Sequence, residues 1–260
     1  MKSGFGEHVT ATRDGHVAVV TIDRPPTNFV SVELISDLAD ALEAADVSND
    51  VRAMVLQAEG KAFCAGADLA RSDDRVAAGM DGVSALYKQA ARLFAVEKPI
   101  VAAVQGAAVG AGLGLAVACD FRIATPEARF SANFVKLGFH PGFALTHTLP
   151  RLIGAQKAHL MFMTARRIKA EDALAWGLVD QIVAPDELRA AALTLAREIA
   201  ENAPLAVLAT RKTSRDGLLA AVRAQMAHEH EQQTILRATA DFAEGVRAVN
   251  ERRPGVFVGR

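Results

Sequence analysis

Two short stretches almost empty of large side chains, Lys61-Ala-Phe-Cys-Ala-Gly-Ala-Asp-Leu69 and Gln105-Gly-Ala-Ala-Val-Gly-Ala-Gly-Leu-Gly-Leu115, set the terms on which this chain can fold. Neither carries enough apolar volume to be a core element for its own sake. Glycines at 106, 110, 112 and 114 allow a tight turn and a helix start packed closely on a sheet, with the N–H groups of the first turn left without intrahelical acceptors. Each stretch follows a β-rich run, Val51–Ala58 for the first and Ile100–Gln105, entered from Pro99, for the second. Two strands ending in such turns can offer two backbone amides to one ligand oxygen. That is the outline of an oxyanion hole.

The rest of the chain supplies a scaffold around those turns. His16–Asp23 reads as a strand stopped by the Pro25-Pro26 pair, which cannot continue a ladder. Ser31 then stands as an N-cap before Val32, Leu34, Ile35, Leu38, Ala39 and Leu42 at helical spacing, with Glu33 and Asp37 near the positive end of the macrodipole. Arg71–Gly82 is charged, glycine-bearing and without period, so it reads as an exposed loop, either a lid or a surface loop without a role. Beyond Ala155 the pattern predicts helices near 155–164, 185–202, 204–217 and 218–250, interrupted by a short strand at 178–183. Apolar residues make up 51% of the chain and aromatics only 5%, which favours close-packed helices over an aromatic-rich sandwich. The expected class is α/β, with a function-bearing core over residues 1–195 and a helical region over 196–260.

Several function classes drop out at this stage. A net charge of −1 and the lack of basic segments interleaved with aromatics argue against nucleic acid. Cys64 and Cys119 belong to no metal-ligand spacing and read as small buried hydrophobes, so neither a metal nor a disulfide is expected. His228-Glu-His-Glu231 has the composition of a metal site, yet residues two apart on a helix do not converge, and a solvated helix face is expected there. After Gly110-Ala-Gly112 the third glycine falls at 114, out of step with a dinucleotide fingerprint. No run reaches about eighteen apolar residues, and the first fifteen residues lack a signal-peptide core, so no membrane association and a cytoplasmic setting are expected.

The two small-residue blocks resemble those of the crotonase, or enoyl-CoA hydratase/isomerase, superfamily. The resemblance extends over nearly the whole chain, through Asp23-Arg-Pro25, Ala116-Val-Ala-Cys-Asp120, Ala128-Arg-Phe130, Leu149-Pro-Arg-Leu-Ile-Gly154, Ala173-Leu-Ala-Trp-Gly-Leu-Val179 and Arg253-Pro-Gly-Val-Phe257. It implies a spiral of ββα units, a C-terminal helical region used in oligomerisation as a homotrimer or dimer of trimers, and a coenzyme A thioester as substrate with no separate cofactor. By the same resemblance, the N–H groups of Ala67, just after Gly66, and Ala111, just after Gly110, form the oxyanion hole that holds the thioester oxygen as it becomes an enolate. Ala65, Gly66, Ala67, Asp68 and Leu69 correspond to the segment that wraps CoA, and Arg24 and Lys61 to cations near its phosphates; Asp68 as a helix cap and both cations as ordinary surface charges are the plain alternatives.

The departures from the family pattern bear most on the reaction. Hydratases of this family carry one glutamate on the oxyanion-hole helix and a second about twenty residues later, and other members place an aspartate after the proline of a Leu-Gly-x-x-Pro motif. Here those positions are Gly114, Phe134 and Gly142. Neither a hydrogen atom nor a benzyl group moves protons. What remains in Leu137-Gly-Phe-His-Pro-Gly-Phe143 is His140, a residue type that exchanges protons near neutral pH, on a loop because Pro141 follows it. It reads either as the proton carrier or as a histidine packed beside the ligand. The expected activity is therefore of the hydratase/isomerase class, with Ala67, Ala111 and His140 catalytic and Gly110, Phe134, Pro141 and Gly142 lining the acyl site. C–C bond or thioester hydrolysis with the same enolate step, and a non-catalytic CoA-ester-binding homologue, are the alternatives.

Overall fold

A computed structural model describes residues 3–67 and 80–260. Strands β1 (Ser3–Phe5), β2 (Val9–Asp14) and β3 (Val17–Ile22) form an antiparallel ribbon that leads into a parallel sheet through β4 (Ala53–Ala58) and β5 (Ile100–Val104). A second, three-stranded sheet is made of β6 (Ala107–Val109), β8 (Arg129–Ser131) and β9 (Ile168–Lys169). Between β6 and β8 in the chain, β7 (Phe121–Ala124) returns to the first sheet, and β10 (Gln181–Ile182) closes its far edge, giving the order β1-β2-β3-β4-β5-β7-β10. Strand β5 is buried along its whole length, as expected of a central parallel strand covered on both faces.

Helix α1 (Val32–Val47) starts where the sequence places it. Ser31 is extended and its side chain accepts from Leu34 N at 3.2 Å, while Leu34, Ile35, Leu38, Ala39 and Leu42 are buried. Helix α2 (Met80–Ala95) begins earlier than the loop expected through Gly82, and the Asp73 and Asp74 of that loop, with the rest of residues 68–79, lie outside the described residues. Helix α3 (Ala111–Ala118) is buried at every position, because its glycines and alanines let it pack closely against β6.

The later half is helical: α4 (Leu145–Ile153), α5 (Ala155–Thr164), α6 (Ala170–Ala175), α7 (Leu188–Ala200), α8 (Pro204–Ser214), α9 (Leu218–Arg237) and α10 (Ala240–Asn250). The single helix expected over 218–250 is two, because Thr239 is extended and caps a new start by accepting from Phe242 N. The expected boundary at 195/196 falls inside α7, whose Leu188, Ala192, Ala196 and Ala200 form one apolar cluster with Val17, Ala53, Val55 and Val101 of the sheet. Asp120 ties the following helix to that sheet: it accepts from Ile100 N at 2.8 Å, from Arg211 Nε at 3.0 Å and from Arg215 Nη1 at 2.9 Å.

Candidate active site

The two small-residue blocks are zipped together by backbone. Cys64 N donates to Ala107 O at 2.9 Å and Val109 N donates back to Cys64 O at 3.0 Å, an isolated parallel bridge that lays the first block against β6. The approach is too close for side chains: a Cβ on Gly112 would collide with Cys64 O, and one on Gly66, itself at φ +90°, would lie 2.8 Å from Val109 O. Glycine at both positions is thus a condition of bringing Ala67 and Ala111 to a common cavity.

That cavity, of about 80 Å³, is lined by Ala65, Gly66, Ala67, Gly110 and Ala111 on one side. Gly110, at φ +56°, precedes helix α3 and no side chain caps its first turn. Among the described residues neither Ala67 N–H nor Ala111 N–H donates to a protein acceptor, whereas the neighbouring Gly110 N–H is bonded to Ser131 O at 2.9 Å. Two unpartnered amides on one apolar cavity are a site for a partly negative oxygen.

The opposite wall is made of side chains. Phe134, Leu137, Phe139 and Phe143 give it an apolar surface, with the Phe134 and Phe139 rings edge to face at 5.5 Å. Its polar members are Tyr87, Asn133, Gln233 and Arg237. Tyr87 comes from α2, while Gln233 and Arg237 come from α9, so the C-terminal helices furnish part of the site itself. Arg237 is held between two aromatic faces, 5.4 Å from the Phe139 centroid and 5.6 Å from that of Phe242.

Gly114, Phe134 and Gly142, the positions at which the resemblance leads one to look for carboxylates, are surrounded as follows. A Cβ on Gly114 would lie 2.5 Å from Phe143 Cδ1, so the Phe143 ring occupies the space of that side chain. Phe134 presents its own ring. A Cβ on Gly142 would fall within the van der Waals sphere of Tyr87 Oη and 2.5 Å from Gln233 Nε2, so a phenol and an amide stand there instead.

The turn that delivers Phe143 is held under strain. Phe143 (φ +63°) and Ala144 (φ +56°) are successive non-glycine residues in the left-handed region, a conformation that costs on the order of 1–3 kcal/mol each. Glu229 of α9, fully buried, restrains it by accepting from Ala144 N at 2.7 Å, from Thr146 N at 3.1 Å and from the Thr146 hydroxyl. Burial pushes the Glu229 carboxyl up to about 7. This corrects the expected solvated face over His228–Glu231: the glutamate at its centre is core, and among the described residues no group of metal-ligating side chains converges. Periodicity could have found it, since Val222, Met226, Glu229 and Gln233 recur on one face of α9 and are its buried residues.

Of the residues singled out from sequence, Ala65, Gly66, Ala67, Gly110, Ala111, Phe134 and Gly142 meet at this cavity. His140 does not. Its Nδ1 lies 2.7 Å from Pro141 O and its ring packs edge to face against His228 at 6.1 Å, outside the cavity wall. Pro141 is buried beside it without lining the cavity. Arg24 is tied into its own loop, donating through Nη1 to Phe29 O while its N–H bonds Asn28 Oδ1 at 2.8 Å, and Lys61 is exposed. Asp68 and Leu69 lie outside the described residues. Both cysteines are buried and uncrosslinked, each thiol pushed up to about 12, which leaves them inert at neutral pH.

Known proteins are similar to this chain in sequence and fold over nearly its whole length. The family model described as enoyl-CoA hydratase/isomerase matches residues 12–260. The chain belongs to the enoyl-CoA hydratase/isomerase family, within the crotonase superfamily. It is 34% identical to the crotonyl-CoA hydratase of Syntrophomonas wolfei over 98% of this chain and 99% of that protein, and 35% identical to the 2,3-dehydroadipyl-CoA hydratase of Escherichia coli over 96% and 98%. Among solved structures, an enoyl-CoA hydratase/isomerase from Pseudoalteromonas atlantica superposes with a TM-score of 0.85 at 32% identity, covering 97% of this chain and 100% of that one. The carnitinyl-CoA hydratase from Mycobacterium avium gives 0.84, also at 32%, with 97% and 99% covered. The α/β crotonase fold with a helical C-terminal half follows from both.

Proposed function

We propose that this family member binds an acyl- or enoyl-CoA thioester with its carbonyl oxygen between Ala67 N–H and Ala111 N–H, and that it catalyses hydration or dehydration through the enolate those amides stabilise. The observation that carries this reading is the pair of unpartnered amides on one apolar cavity. As the double bond is attacked, negative charge collects on the thioester oxygen, and two backbone donors placed by the fold meet it without reorganising. Relatives named as hydratases of crotonyl-CoA and of 2,3-dehydroadipyl-CoA support water addition as the reaction. Phe134, Phe139 and Phe143 suit an apolar acyl group. No cofactor enters this scheme beyond the coenzyme A of the substrate. The resemblance further supports assembly as a homotrimer or a dimer of trimers, and no described helix is long and apolar enough to cross a membrane.

Incubation of the full chain with crotonyl-CoA tests the reading, because hydration removes the enoyl chromophore. The expected result is a protein-dependent, saturable loss of that absorbance with 3-hydroxybutyryl-CoA as product. Release of free CoA instead would assign thioester hydrolysis. Saturable binding without product would assign a CoA-ester-binding protein, and no binding would end the CoA reading altogether.

A further inference from the structure

The family's three carboxylate positions are empty here, but one of them is not empty of oxygen. Tyr87 Oη stands in the volume that a side chain at position 142 would take, reached from α2 and not from the loop that carries Gly142. The same phenol lines the cavity that Ala67 and Ala111 line. It is the one neutral titratable side chain on the described wall, Arg237 being the other ionisable group there.

Two neighbouring donors favour the charged form of the phenol, the Phe143 backbone N–H and the Gln233 amide, the latter anchored through Nε2 on His140 O at 2.9 Å. A phenol can donate its O–H to a ligand in the cavity it lines. Both donors are placed by structure already described: Phe143 by the strained turn that Glu229 restrains, Gln233 by the buried face of α9.

We propose that Tyr87 is the catalytic proton carrier of this site, taking the part of the missing carboxylates. This rests on the CoA-thioester reading above. In the hydration direction the water oxygen forms a bond to Cβ with its lone pair, and the double-bond electrons move through Cα onto the thioester oxygen, held by Ala67 and Ala111. The enolate pair then takes the Tyr87 proton at Cα and the thioester carbonyl re-forms. The phenolate recovers a proton from the oxygen now on Cβ. One water has crossed the double bond, and Tyr87 ends as it began. Burial, and Glu229 nearby, push the phenol above its ordinary value and keep it protonated at neutral pH, while Phe143 N–H, the Gln233 amide and Arg237 favour the transient phenolate.

The test compares the full native chain with Tyr87→Phe, which removes one oxygen and leaves the ring. Hydration of crotonyl-CoA gives kcat and KM, and calorimetry with unreactive butyryl-CoA gives affinity independently of turnover. Loss of a positioned acid–base group lowers rates by roughly 10²–10⁴-fold, so Tyr87→Phe should lose at least about 100-fold in kcat and keep butyryl-CoA affinity within about threefold. Gln233→Ala, which frees the phenol to rotate, should lose about tenfold in kcat with KM unchanged, and it decides the matter if Tyr87→Phe does not fold. Native-like kcat in folded Tyr87→Phe, or in Gln233→Ala where that variant alone folds, overturns the assignment while leaving the CoA reading intact. A native chain that binds butyryl-CoA but never hydrates crotonyl-CoA overturns it too. One that binds neither ester ends the underlying reading as well.

Discussion

One wall of the cavity is backbone and the other is side chain, and the two obey different rules. On the first, Ala67 and Ala111 act through N–H groups, and what their neighbourhood demands is the absence of atoms: glycine at 66 and 112, so that two strand ends can bond through Cys64 and Val109. On the second, Phe134, Phe143, Tyr87 and Gln233 act through what they carry, and they arrive from a short 3-10 helix (Asn133–Leu137), the turn after it, α2 and α9. A backbone device tolerates drift in its side chains provided the chain path is kept. A side-chain device is remade whenever a different residue is brought to the same spot. In this chain the first wall is set by glycine and alanine backbone, while the second brings a phenol, an amide and aromatic rings to the same cavity.

The largest effect should come from the side-chain wall. Phe143 is 1% exposed and fills the space over Gly114, so Phe143→Ala should cost about 3–5 kcal/mol of unfolding free energy in urea. A loss below about 1 kcal/mol would mean that the strained turn collapses to fill the gap and that the ring is not a wedge. The backbone wall is tested by deleting one hydrogen-bond donor. Ala111 is the first residue of α3, where proline is compatible with a helix, so Ala111→Pro should keep the fold, which circular dichroism checks. Its turnover should fall by about 10²–10³-fold, the equivalent of 2.7–4 kcal/mol of barrier. A folded proline variant with undiminished turnover would break the contrast between the walls.

Glu229 links the walls to pH. Its folded-state carboxyl, at about 7, stands above the ordinary value of 4.5, so between those limits the folded chain holds a proton that the unfolded chain has lost. Stability from this group is therefore full below about pH 4.5, falls as pH rises to about 7, and is flat beyond. The difference in unfolding free energy between native and Glu229→Gln chains should shrink by about 3 kcal/mol across that window. Parallel stability curves would show that the carboxyl titrates alike in both states. Smallest of all, His140→Ala should leave turnover within about twofold, since the imidazole faces His228 and Pro141 O instead of the cavity; a hundredfold loss would return the proton chemistry to His140.

What could be read from the chain divides along the same line. The two small-residue blocks were legible because glycine spacing and strand endings are local; Ala67 and Ala111 within them were named by the family resemblance, and both line the cavity. The Ser31 cap, the central strands and the small-residue α3 were legible for the same reason. Tyr87 and Gln233 lie 55 and 91 residues from Gly142 in sequence, and nothing in a helix pattern tells which distant residue will enter the volume a glycine leaves open. His140 sat in the same short motif as the cavity-lining Gly142 and Phe143, yet its ring meets Pro141 O and His228 instead. The two left-handed residues of the turn, Phe143 and Ala144, carry no glycine to announce them.

The most direct test of the account is a crystal structure of the full chain with butyryl-CoA, read at one oxygen. The account predicts the thioester carbonyl oxygen at about 2.7–3.1 Å from both Ala67 N and Ala111 N, the reach of an oxyanion-hole donor. A bound ester whose oxygen lies beyond hydrogen-bond distance of either amide would contradict it.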